Sequence, residues 1–196
     1  MEIADNVLRH SLRKSVAADY FANYARGMIA QDASQLRVQL REAGEADKQW
    51  LCGLHQLYLH DLSEFTENLH VTADGSFESD DIDTFYSIDA LVPLIIEAEG
   101  QAVGFILLNT PPYAKGDYHI NDFFILRSQR RRGLGQLAIA ALAEARPGQY
   151  SVAELTQNLP AINFWRGTLS RLGIAYEEQQ VMDGDDACLV QRFNAA

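Results

Sequence analysis

The stretch Phe123 to Leu137, FFILRSQRRRGLGQL, decides the fold. It opens on the β-formers Phe123, Phe124, Ile125 and Leu126, passes through an arginine-rich turn, and enters an Ala/Leu-rich helix at Gly133 and Gly135. A helix start presents unpaired backbone N–H groups and the positive end of the helix dipole, which together bind phosphate. Glycines let such a backbone approach a ligand closely, and Arg130, Arg131 and Arg132 add charge suited to a polyanion.

Downstream of this stretch, the helix runs to Ala145 and stops before Pro147 and Gly148. Tyr150 to Leu155 reads as a strand. Pro160 then sits in the first turn of a helix that carries Ile162, Phe164, Trp165, Leu169 and Leu172 and closes at Gly173. Two strands, about 174–182 and 187–193, flank the turn Asp183, Gly184. Upstream, the apolar runs 91–98 and 102–109 form an antiparallel hairpin, and His119 to Leu126 adds a third strand. Residues 62–90 read as loop and short helix around the turn Asp74, Gly75. Gln35 to Arg41 alternates as a strand, and a helix opens at Gly44 to Asp47 and runs through Trp50, Leu51, Leu54 and Leu57. Asn6 to Ala30 has apolar residues near helical spacing and reads as an amphipathic helix.

Composition narrows the function. The 196 residues suit one domain with an appendage, and 47% apolar with 22% charged residues suits a folded chain. A net charge of −11 argues against nucleic acid as a partner. No apolar run approaches the ~20 residues of a membrane helix, and no secretory signal opens the chain, so the cytoplasm is the expected setting. Cys52 and Cys188 match no metal spacing and are expected to be buried thiols. The charge is unevenly spread: His60 to Ala90 holds nine acids and no lysine or arginine, whereas Arg127, Arg130, Arg131 and Arg132 fall within six residues.

The run R-x-x-G-x-G from Arg130 to Gly135 resembles the acetyl-coenzyme A motif of the GNAT N-acetyltransferase superfamily. Asn158, Ala161, Phe164 and Trp165 resemble its second segment, N-x-x-A-x-x-F-Y. Within that superfamily the chain looks like a group of bacterial acetyltransferases. The resemblance covers residues 36 to 194 and implies an α/β (α+β) fold, a mixed and mostly antiparallel sheet flanked by helices. Residues 1–35 would form an N-terminal helical extension, and residues 36–196 the acetyltransferase domain.

In that family two central strands splay apart and pantetheine lies between them like an added strand. Ile125 would then offer its main chain to the pantetheine, and its N–H would polarise the thioester carbonyl. The amides of Arg130, Arg131, Arg132, Gly133, Leu134, Gly135 and Gln136 would hold the pyrophosphate. Asn158 would bond the pantetheine arm or cap its own helix, and Phe164 and Trp165 would pack beside the arm or in the helix core. Asp122 is the candidate base for the amine, with His119 second. Trp165 stands where relatives carry a tyrosine acid, and indole N–H cannot protonate a thiolate at ordinary pH; either another group supplies the proton, with Tyr118, Tyr150 and Tyr176 as candidates, or solvent does, or the enzyme is slow. The implied activity is acetyl transfer from acetyl-CoA to a primary amine by direct attack in a ternary complex. The acidic segment favours a cationic small molecule or peptide as acceptor. The alternative is a weak or inactive GNAT-like domain that binds CoA or a protein partner. The N-terminal helix could pack on its own domain, or dock on a partner or a second copy.

Overall fold

The computed structural model describes residues 37–79 and 81–195. Its elements are β1 (Val38–Glu42), α1 (Lys48–Leu62), α2 (Asp81–Ser87), β2 (Leu91–Ala98), β3 (Gln101–Asn109), β4 (Tyr118–Ile125), α3 (Leu134–Ala145), β5 (Gly148–Leu155), α4 (Leu159–Leu172), β6 (Tyr176–Asp183) and β7 (Asp186–Ala195). The helix expected over Asn6 to Ala30 lies outside the described residues. Among the described residues no helix is long and apolar enough to cross a membrane.

The strands form one sheet in the order β1-β2-β3-β4-β5-β7-β6. All neighbours are antiparallel except β4 and β5, which run parallel and are joined through α3 because parallel neighbours need a crossover. The tight turn between β2 and β3 places Glu99 and Gly100 both at positive φ, 51° and 74°, as a two-residue hairpin requires.

Helices cover both faces. On one, Leu51 and Leu54 of α1 and Ile82 and Phe85 of α2 pack on Ile95, Phe105, Leu107 and Phe124. On the other, α3 and α4 meet over Phe123. Because both faces are covered, β3 is a continuous apolar run from Val103 to Leu108 rather than an alternating one. Each fully buried side chain of this kind contributes roughly 1.5–3 kcal/mol through burial. The inward stripe of α1 is Leu51, Leu54, His55 and Leu59. Leu57 falls outside that stripe and is exposed. The same geometry overturns one expectation: Cys52, next to Leu51 on the helix, faces outward and is exposed, and Cys188 alone is buried.

Two irregularities position the site. The register of β3 on β4 shifts between Leu107 and Leu108, so that Asn121 is an extra residue. Alternation is thereby reset: Asp122 and Phe124 face α1, and Phe123 and Ile125 face α3 and α4. In addition, β4 and β5 pair only at Tyr118–Tyr150, His119–Ser151 and Ile120–Val152, and beyond Ile120 the two strands part.

Candidate active site

The parting exposes one edge of β4. Leu126 N–H donates to Val103 O on the β3 side, so by alternation the N–H and C=O of Ile125 point into the opening. The Ile125 carbonyl accepts from Arg130 Nε at 2.8 Å, which leaves its N–H as the open group.

The turn after β4 begins with a single 3-10 turn over Arg127–Gln129 and then places Arg131 at φ 63° and Gly133 at φ 80°. A side chain at position 133 would be strained in this left-handed region, and Gly133 caps α3 there. The first backbone bond of the helix is Leu137 N–H to Gly133 O at 3.1 Å. Among the described residues the N–H groups of Arg131, Arg132, Gly133, Leu134, Gly135 and Gln136 have no backbone acceptor, and they form a cradle at the positive end of α3. Leu134 anchors this turn in the core. A Cβ on Gly135 would lie 2.8 Å from Phe164 Cε2, so only glycine lets α3 start this close to α4.

The three arginines differ in what they reach. Arg130 folds back over the Phe124 ring and pairs with Asp61, which also binds Arg127, at 2.6 and 2.8 Å. Burial would raise the Asp61 carboxyl, but the two arginines hold it below its ordinary value. Arg132 bonds Gln129, and Arg131 is exposed at the cradle. Part of the acidic segment is thus neutralised by the arginine cluster rather than facing solvent.

On α4, Asn158 caps the helix, its Oδ1 accepting from Ala161 N–H at 3.1 Å. Phe164 stacks on Phe123 with centroids 5.2 Å apart. Trp165 is 3% exposed and packs edge-on against Phe123 and Phe164, so it is a core residue. Of the tyrosines considered as donors, Tyr150 is engaged elsewhere, its hydroxyl donating to Arg146 O at the end of α3, and the Tyr118 ring stacks on it. Burial holds the Tyr150 hydroxyl well above its ordinary value.

On the α1 face, Asp122 is buried, with Oδ2 3.2 Å from His55 Nε2. His119 lies on the same face, Nδ1 2.9 Å from Ser151 Oγ, and burial lowers its pKa, which favours the neutral ring a base needs. Tyr58 stacks on His55 at 5.6 Å, and burial followed by the Asp122 charge holds its hydroxyl far above the ordinary range. On β5, in the stretch beyond the last β4 pair, Glu154 is 6% exposed and neither carboxyl oxygen has a partner. Burial, and then the Glu178 charge, push its pKa up to about 8.

Sequence reading missed His55, Tyr58 and Glu154. The available signal was a polar residue on an otherwise apolar stripe, His55 between Leu54 and Leu59, and Glu154 two positions from Val152 on the inward side of β5.

Beside the opening, the loop after α1, the turn between β6 and β7, and Gln157 enclose a cavity of about 650 Å³. Glu64, Glu67, Asp185 and Asp186 line it, with no lysine or arginine. Asp186 braces the loop through Thr66 and Asn68 Nδ2, the latter at 2.8 Å.

The sheet is thus open between two parallel strands, with unbonded N–H groups at a helix start after one of them and an acidic cavity lined by the loop after α1. Residues 54–168 match the acetyltransferase (GNAT) family, and the chain belongs to that family. No curated sequence matches the chain. Among solved structures it is similar to AAC(6')-Ib in complex with paromomycin and acetyl-CoA, at 18% identity and TM-score 0.59, covering 80% of this chain and 93% of that one. It is also similar to an acetyltransferase from Thermus thermophilus, at 16% identity and TM-score 0.58, covering 79% and 95%. A third is yncA of Salmonella typhimurium with acetyl-CoA, at 13% identity and TM-score 0.55, covering 81% and 94%. At these identities the likeness concerns the fold.

Proposed function

We propose that this chain transfers the acetyl group of acetyl-CoA to a primary amine on a cationic small molecule or peptide, by direct attack in a ternary complex. The observation that carries the reading is the parting of β4 and β5 next to six open N–H groups at the start of α3. Acetyl-CoA fits that shape: pantetheine is an extended amide chain that can add to a strand edge, and its pyrophosphate suits a helix start. Residues Arg131 to Gln136 would hold the pyrophosphate through their amides, with Arg130 fixing the turn through Ile125 O and Asp61. The spare amide hydrogens of Asn158 would serve the pantetheine arm, while Phe164 and Trp165 pack the wall behind it.

Transfer needs a base for the amine and a polarised carbonyl. Asp122 takes the amine proton, directly or through water, with His119 as the second base on the same face. Ile125 N–H stabilises the charge that develops on the thioester oxygen. The acidic cavity concentrates the cationic acceptor, which accords with the similar fold of AAC(6')-Ib, solved in complex with paromomycin. We assign the acetyltransferase domain to residues 36–196, in a cytoplasmic setting.

Calorimetric titration with acetyl-CoA, free coenzyme A and ADP tests the site: affinity that depends on the pantetheine arm is expected, and its absence in folded protein would refute the reading. A panel of amines then tests transfer. The second reading, a domain that binds CoA or a partner with little turnover, draws on Trp165 being a core residue with no acid in its place, and predicts binding without transfer to any amine.

A further inference from the structure

We propose that His55, on α1, is a positioning residue for acetyl transfer: through Nε2–H it holds the Asp122 carboxyl group aimed at the opening. The inference rests on Asp122 acting as the base. His55 is 2% exposed, and its Nε2 lies 3.2 Å from Asp122 Oδ2 and 3.6 Å from Asp81 Oδ2, with all three atoms within 4.8 Å of one another. One ring nitrogen carries one proton, so it serves one carboxylate at a time. Asp122 has the shorter contact, and Asp81 lies beyond hydrogen-bond distance.

The arrangement matters because Asp122 is buried. A carboxylate removed from water stays charged only if something hydrogen-bonds or pairs with it. Among the described residues no lysine or arginine pairs with Asp122; His55 Nε2 lies 3.2 Å from its Oδ2, and the Tyr58 hydroxyl is a second hydrogen-bonding neighbour. The other groups on this face are Tyr58 from α1, Asp81 from α2 and His119 from β4. Tyr58 and His119 both sense the Asp122 charge, and none of the three brings a fixed positive charge. Asp81, 48% exposed at its side chain, is the link between this buried pair and solvent. The bulge at Asn121 creates the contact, since without the extra residue Asp122 would face α4.

The step served is the loss of the amine proton: the N–H bond breaks as the C–N bond forms, the proton goes to Asp122, and the thioester C–S bond then breaks to release the coenzyme A thiolate, which takes its proton from solvent. Base catalysis of this kind is worth roughly 10²–10⁴-fold. Losing the group that keeps the base charged removes part of it, about 10- to 100-fold at pH 7.

The test measures kcat, both KM values and acetyl-CoA affinity from pH 5.5 to 9 for His55→Ala, His55→Gln, Asp81→Asn and Asp122→Asn, alongside thermal melts. His55→Ala is expected to lower kcat at pH 7 about 10- to 100-fold while acetyl-CoA affinity holds, and to shift the acidic limb of the kcat profile upward. His55→Gln, which keeps an N–H donor, should recover much of the loss. Asp81→Asn should shift the limb downward, because it removes a like charge whose oxygen lies within 4.8 Å of Asp122. A profile for His55→Ala that matches the parent, or that falls by one factor at every pH, overturns the proposal, as does a His55→Gln no better than His55→Ala; if His55→Ala does not fold, His55→Leu, which fills the same buried space without a donor, takes its place. Asp122→Asn separates the two readings. An inactive Asp122→Asn beside a silent His55→Ala sinks only the positioning role, whereas an active Asp122→Asn sinks the base assignment and this inference with it.

Discussion

Glu154 stores a pH-dependent instability in the centre of the sheet, and Glu154→Gln should release it. The carboxyl sits on the inward face of β5, 6% exposed, with neither oxygen hydrogen-bonded. Burial, and then the Glu178 charge, raise it from an ordinary 4.5 to about 8, with Arg166 pulling weakly the other way. Because the folded-state value is the higher one, the folded chain keeps this proton between pH 4.5 and 8 while the unfolded chain has released it. Stability is therefore fullest below pH 4.5 and is lost as pH rises, by about 1.4 kcal/mol per pH unit. Over the interval from 4.5 to pH 7 this amounts to about 3 kcal/mol. Glutamine occupies the same space without titrating, so its stability should not carry that slope. Urea unfolding of parent and variant at half-unit steps from pH 5 to 8 should show a gap that widens with pH in favour of Glu154→Gln, with Tm higher by roughly 5–10 °C at pH 7. Parallel curves would show that the carboxyl is ionised in the folded state and that the burial argument is wrong.

Gly104→Ala should be strongly destabilising without touching the cradle, since its Cβ would lie 2.1 Å from the Phe124 carbonyl oxygen; a melt within a degree of the parent would contradict the close approach of β3 and β4. Arg131→Glu with Gly133→Pro should abolish acetyl-CoA affinity by calorimetry while the far-UV spectrum holds, because proline cannot adopt φ 80° and the cradle reverses charge. Neutralising the cavity with Glu64→Gln and Glu67→Gln should raise KM for cationic amines several-fold and leave a neutral amine unaffected, an effect that salt mimics; equal KM values would place the acceptor elsewhere. The same comparison with Asp80, Asp81 and Asp83 neutralised tests the wider acidic segment.

Much of the fold was legible because its signals are local. Alternation, the Ala/Leu-rich stretch, Pro160 and the glycines after Ala145 and Leu172 bound β1 to β7, α3 and α4 to within a few residues, since each depends on neighbours along the chain, whereas α2 was placed only somewhere within 62–90. The cradle was legible for the same reason: Arg130 to Gly135 and the Asn158 cap are contiguous segments whose backbone roles follow from residue type. The reach of side chains was not. That Arg130 turns to Asp61 rather than outward, that Trp165 is core, that Cys52 faces solvent and Cys188 does not, all depend on which elements the sheet brings opposite one another.

The sequence by itself determined the order of elements, the glycine turn at the start of α3 and the family, because backbone conformation and helix polarity are written in consecutive residues. Only the tertiary structure decided the chemistry of the acceptor side. The extra residue at Asn121 turns Asp122 toward a histidine 67 positions away, and β5 leaves β4 after three pairs. Both arise from register, a relation between strands distant in sequence that no local pattern encodes.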